Sequence, residues 1–199
     1  PRQETPSRSD SPPPQAAVFV CNHLSYVDLL VFLSEWPCVF VAKVEVTRIP
    51  VLGGVAADIG TIFINRQDFT DVARVNTRIE QKLQQGLSVV IFPEATTTEG
   101  AGLLPFHASL FESAARLGQP VWYGALHYST PPGARPASES VAWGDKDIGM
   151  REHMQRLLSL PGFTARIRYG RQPIGGSNRK VLAQALRSAV TELFEPVGQ

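Results

Sequence analysis

Six short apolar runs rich in β-branched and aromatic residues recur along this chain, with helix-like stretches between them, and this alternation restricts the fold more than any other feature. The runs are 18–21, 38–42, 61–64, 89–92, 121–126 and 165–169, each of strand length and bounded by polar or turn-forming residues. Among the intervening stretches, 71–85 places Val72, Val75, Ile79 and Leu83 on one stripe, and Gly86 follows where a helix end favours a left-handed residue. The stretch 105–117 ends on Gly118 in the same way, and about 179–194 carries Leu182, Leu186, Val190 and Leu193 behind Asn178 as N-cap. The pattern predicts an α/β fold, a mixed, mainly parallel sheet flanked by helices. In such sheets, ligands bind beyond the carboxyl ends of the strands.

With 199 residues, 43% of them hydrophobic, the chain can bury a full core, and we read one domain over 16–199. Residues 1–15 hold five prolines among Ser, Arg, Glu and Asp and read as a disordered, solvated linker. The 19 basic and 18 acidic side chains nearly cancel, so no overall field attracts nucleic acid. Cys21 and Cys38 have no metal-ligand spacing, nor do His107, His127 and His153, so neither a metal nor a disulfide framework is expected, and a reducing, cytoplasmic setting fits. No stretch approaches the roughly 20 apolar residues that cross a bilayer. The start at Pro1, without an initiator Met or a signal-peptide layout, leads us to expect a piece of a longer protein with an anchor upstream.

Three polar clusters follow strands. In the first, Asn22 to Asp28, residues five apart on one helix point about 140° from each other, so His23 must precede the helix if it is to meet Asp28. Placed in the strand-to-helix turn, the ring can fold back so that Asp28 accepts from one nitrogen, leaving the other as a base. Ser25 followed three residues later by an acid equally fits a capping box, which would make Asp28 structural. In the second cluster, a strand delivers Arg66, whose fork of donors suits phosphate or carboxylate, or else pairs with Asp68 on the surface. In the third, the strand ending at Phe92-Pro93 releases Glu94, Thr96, Thr97 and Thr98, readable either as site groups or as a solvated hydroxyl-rich loop.

Taken in this order, the clusters resemble the glycerophospholipid acyltransferase family typified by lysophosphatidic acid acyltransferase. Asn22, His23 and Asp28 match its first block, Phe63 to Arg66 its second, and Phe92, Pro93, Glu94 and Thr96 its third; 120–126 looks like its fourth. The resemblance implies a glycerolipid acyltransferase-like fold and transfer of a fatty acyl group from acyl-CoA or acyl carrier protein to a hydroxyl of a lysolipid, with no cofactor. It casts His23 as base, Asp28 as its orienting partner and Arg66 as head-group ligand. Glu94 would organise the acceptor pocket, with Thr96 and Thr97 beside it as substrate-binding residues. Two departures stand out: Ala95 replaces the family's usual Gly, where a positive φ would be strained, and Thr97 stands where an arginine is common. The threonine-rich variant looks more like relatives that acylate other lysolipids, including lyso-ornithine lipid. Cys21, in an apolar strand, is expected to be an inert packed thiol.

A thioester hydrolase is one alternative, since a base beside a thioester can activate water; a non-catalytic lipid-binding domain is another. The membrane surface is the expected partner. The segment 46–56, apolar at Val46, Ile49, Val51, Leu52 and Val55, reads either as a core helix or as a surface that sits on the bilayer, where Lys43 and Arg48 would meet anionic head groups at its cytoplasmic face.

Overall fold

The computed structural model describes residues 13, 16–49, 52–65, 71–144 and 147–198. Apart from Pro13, the linker stretch 1–15 lies outside them, as does Arg66. Six strands, β1 (Val18–Val20), β2 (Cys38–Lys43), β3 (Ile62–Ile64), β4 (Ser88–Ile91), β5 (Val121–Ser129) and β6 (Thr164–Tyr169), form one sheet in the order β3-β2-β4-β1-β5-β6. The first four pairings are parallel and only β5–β6 is antiparallel, so the sheet is mixed and mainly parallel, as the alternation of patterns requires.

Alternation along each strand builds two cores. Val18 and Val20 of β1, Val39 of β2, Val89 and Ile91 of β4 and Val121 of β5 face one layer. There they meet Val75 and Ile79 of α3 (Asp71–Gln84), Ala114 and Ala115 of α4 (Glu112–Leu117), and Leu182, Leu186 and Val190 of α7 (Arg179–Leu193). Phe19, Phe40, Val90, Leu126 and Tyr128 face the other layer. They pack there with Val27 and Phe32 of α1 (Val27–Glu35), Ala137 of α5 (Ala137–Ser140) and Leu157 of α6 (Met150–Leu158). With both faces covered, the strands read as continuous apolar runs. The helix expected over 105–117 is shorter: a 3₁₀ turn at Ala108–Phe111 leads into α4, which does end on left-handed Gly118. The Asn178 side chain caps α7 by accepting from the N–H groups of Lys180 and Val181.

Two features place the site. Strand β1 lies between β4, which ends level with it, and β5, which runs on past its carboxyl end to Ser129. Beyond Val20 the side chain of Asn22 continues the ladder, donating to the carbonyl of Leu126 at 2.9 Å and accepting from its N–H at 2.7 Å. Asn22 is thus a structural residue that fixes where the chain leaves the sheet.

Candidate functional site

The chain turns at His23 and enters α1 (Val27–Glu35), and Asp28 in the first helical turn reaches back. Its carboxylate accepts from His23 Nδ1 at 2.7 Å, from the N–H of Leu24 at 2.7 Å, from the N–H of Ser25 at 3.1 Å and from the Tyr128 hydroxyl at 2.8 Å. The two readings of Asp28 are therefore not rivals: it closes the turn as a capping residue and holds the imidazole with the same group. An ionised carboxylate can only accept, so with this hydrogen bond a neutral imidazole carries its proton on Nδ1 and its lone pair on Nε2. Asp28 is fully buried, while the His23 side chain keeps 18% of its surface accessible.

Phe92 fixes the plane of that ring. Its ring stacks on the imidazole at a centroid distance of 4.1 Å and 11° between planes, and Phe40 backs Phe92 at 6.1 Å and 6°. The aromatic residue ahead of the proline is thus a platform, a role that the motif alone did not disclose. Glu94 is buried with 2% of its surface exposed and ties two loops together. One oxygen accepts from the N–H of His23 at 2.9 Å and the other from that of Leu104 at 2.7 Å. Burial raises the affinity of this carboxyl for a proton, and the two N–H donors oppose that shift. The main chain knits the remainder: Thr98 N–H donates to the His23 carbonyl at 3.0 Å, Trp143 N–H to the Leu24 carbonyl at 2.7 Å, and the Thr97 hydroxyl to the Trp143 carbonyl at 2.5 Å.

His23 opens on a cavity of about 270 Å³. Leu29, Phe40, Val46, Ile49 and Leu52 give it an apolar wall, while Thr96, Thr97 and Lys43 bring polar groups to its lining. The segment 46–56 so resolves into parts. Val46, Ile49 and Leu52 line the cavity, Gly53 and Ala56 are buried, and Val55 at 43% and Val44 just before it at 37% exposure face outward. Pro50 and Val51 lie outside the described residues. Arg66 belongs to the same excluded set; its strand β3 ends with Asn65 N–H donating to Asp71, whose carboxylate also holds Arg74.

Cys21 is buried, its thiol donating to the Asn22 carboxamide oxygen, and burial, then the Asp28 charge, push its pKa well above the ordinary thiol range. It is a packed thiol, not a nucleophile. Cys38 is likewise buried and free, pushed up to about 12 by burial. His153 is a buried structural residue whose ring bridges the Tyr26 hydroxyl and the Ala142 carbonyl. Among the described residues, no group of three or more His, Cys, Asp and Glu side chains is placed to hold a metal ion.

Ala95 takes φ +61°, the left-handed conformation that a glycine adopts without cost. Ala95→Gly is therefore expected to raise stability by about 1 kcal/mol, the strain of a non-glycine residue there less the extra freedom of an unfolded glycine. Urea denaturation of the two proteins measures it; a destabilised variant would mean that the strain is absorbed elsewhere in the loop.

Sheet and pair together define a class: an α/β domain with a histidine–aspartate pair beyond the carboxyl ends of its central strands, facing a cavity with an apolar wall. Residues 5–123, more than half of the chain, match the family described as Acyltransferase. The 1-acyl-sn-glycerol-3-phosphate acyltransferase of Neisseria meningitidis serogroup B is 38% identical over 154 residues, 77% of this chain and 59% of that protein. The lyso-ornithine lipid O-acyltransferase of Pseudomonas aeruginosa is 33% identical over 183 residues, 92% of this chain and 69% of that one. The crystal structure of the 1-acyl-sn-glycerophosphate acyltransferase from Thermotoga maritima shares the fold, with a TM-score of 0.54 at 19% identity, covering 94% of this chain and 70% of that one. This chain belongs to the acyltransferase family, and it spans about 59% of the length of the Neisseria relative.

Proposed function

We propose that the chain transfers a fatty acyl group from a thioester, acyl-CoA or acyl carrier protein, to a hydroxyl of a lysolipid at the cytoplasmic face of a membrane. The observation that carries this is the His23–Asp28 pair, with Nε2 free at a cavity whose wall suits a hydrocarbon chain. In the reaction, Nε2 takes the proton of the acceptor hydroxyl as its oxygen bonds to the thioester carbonyl carbon. The tetrahedral intermediate collapses with cleavage of the C–S bond, and the departing thiolate takes the proton back from the imidazolium. Asp28 holds the correct tautomer throughout and stabilises the imidazolium. Two kinds of relative, one named for a glycerophosphate acceptor and one for lyso-ornithine lipid, support a lysolipid as acceptor. Arg66, from its place after β3, is assigned to the acceptor's anionic head group, and Thr96 and Thr97 to the cavity mouth, where Thr97 also fastens the 143 segment.

The experiment is a matrix of labelled acyl-CoA and acyl carrier protein against glycerophosphate and ornithine lysolipids. Label in diacylated lipid for at least one pairing is expected. Label found only as free fatty acid would make the domain a hydrolase, and no turnover with any pairing would favour a binding domain.

The acceptor stays in the bilayer because burying its chain is worth ~0.8 kcal/mol per methylene, so the enzyme must come to it. No described helix is long and apolar enough to cross a membrane. We assign the approach to the outward edge of the cavity wall, where exposed Val44 and Val55 adjoin Lys43 and Arg48. Changing both valines to Asp is expected to lower flotation with anionic liposomes at least several-fold without changing the melting temperature, because neither side chain is buried. Undiminished flotation would remove this face from the contact.

A further inference from the structure

The hydroxyl of Tyr128 is the one side chain from outside the catalytic turn that bonds Asp28 among the described residues, at 2.8 Å from Oδ1. It reaches there by register. Strand β5 runs past the end of β1, whose last paired residue, Val20, stands opposite Tyr123. Asn22 then clamps Leu126 by both main-chain groups, and Tyr128 follows two residues later on the same face. Its ring is fully buried, beside Phe163. A phenol in an apolar core needs a partner, and a carboxylate as buried as Asp28 needs every donor it can find.

We propose that Tyr128 is a positioning residue for the acyl transfer: its hydroxyl, delivered by β5, sets how strongly Asp28 attracts the proton of His23 and so how much of the imidazole is available as base. The inference rests on His23 acting as the base. Groups facing the pair are Tyr128 from β5, Cys21 from the end of β1, Glu94 from the loop after β4, and the Leu24 and Ser25 N–H groups of the turn itself. Burial first, then the Asp28 charge, keep the Tyr128 phenol protonated far beyond neutral pH, so it remains a donor. The buried Cys21 thiol stays protonated for the same reasons. Without the Tyr128 donor the charge on Asp28 is less neutralised, the imidazolium of His23 is favoured, and the neutral base appears only at higher pH.

Tyr128→Phe removes one oxygen atom and keeps the ring. With the full chain assayed by thiol release, the acid limb of kcat against pH is expected to move up by about one unit, equivalent to a loss of about tenfold on that limb, as for a lost hydrogen bond to a charged group. The acceptor KM should stay within about twofold, since the hydroxyl touches no substrate. NMR titration of the His23 ring should show the same displacement without turnover. Replacing Tyr128 by 3,5-difluorotyrosine, a stronger donor of nearly the same shape, should move the limb the other way, and it serves if the Phe variant does not fold. An unchanged limb, or an equal loss at every pH that follows the folded fraction, would overturn the proposal. His23→Ala run in parallel separates the two ideas: an active His23→Ala removes the base itself, whereas an inactive one beside an unaltered Tyr128→Phe removes only the role of Tyr128.

Discussion

His23→Ala is expected to lower kcat by about 10²–10⁴, the usual contribution of a positioned general base, while leaving the protein folded. The ring lies over Phe92 at the cavity and, among the described residues, makes its side-chain hydrogen bond to Asp28 only. When it is removed, Asp28 still accepts from Leu24, Ser25 and Tyr128, so the turn keeps its shape. Circular dichroism and thermal melting should match the parent, and the acceptor KM should change little, since the lost interaction is one that matters as the proton moves. A variant with near-parental turnover would show that another group takes the proton. A variant that failed to fold would make His23 a packing residue.

The second large effect is expected at Glu94, and it is of a different kind. Both of its oxygens accept from main-chain N–H groups, those of His23 and Leu104. Glu94→Gln keeps the shape but turns an NH₂ toward one of those donors, and Glu94→Ala leaves both without a partner. Each unsatisfied donor costs about 1–3 kcal/mol, so Gln should destabilise by about 1–3 kcal/mol and Ala by more, and activity should fall because the His23 main chain is no longer held. Denaturant unfolding measures the first effect, and kcat at saturating acceptor the second. If Glu94→Gln were as stable as the parent but raised the acceptor KM, the carboxylate would be a substrate ligand and not a cross-link between loops.

Much of this arrangement was legible in the residues. The strand and helix periods indicated the α/β layers because both faces of the sheet are covered, which makes the strands continuously apolar. The five-residue spacing of His23 and Asp28 excludes a meeting on one helix and so puts His23 in the turn if the two pair; the pairing itself appears only in the 2.7 Å contact. The resemblance marks Ala95 as a strained position, because the family usually has Gly there, and its φ is positive. Other features depend on contacts between distant parts of the chain. Tyr128 meets Asp28 across 100 positions; the apolar run was read as ending at 126, yet the strand continues to Ser129, and the alternation of Leu126 and Tyr128 on one face was the signal available. For Glu94 the residues point to a carboxylate at the site, but nothing local indicates that it accepts from the N–H groups of residues 23 and 104. Phe92 could be recognised as part of a motif but not as the surface on which the imidazole lies. The segment 46–56 is neither wholly core nor wholly surface: Val46, Ile49 and Leu52 line the cavity, whereas Val55 is exposed.

The most direct test of direct acyl transfer with His23 as base, without an acyl-enzyme, is thiol release from the acyl thioester, followed from the first turnover with and without lysolipid. Release is expected to depend on lysolipid, to equal the ester formed mole for mole, to show no burst, and to be lost in His23→Ala. A burst of thiol equal to the enzyme concentration in the absence of lysolipid, or steady release that lysolipid does not alter, would contradict it.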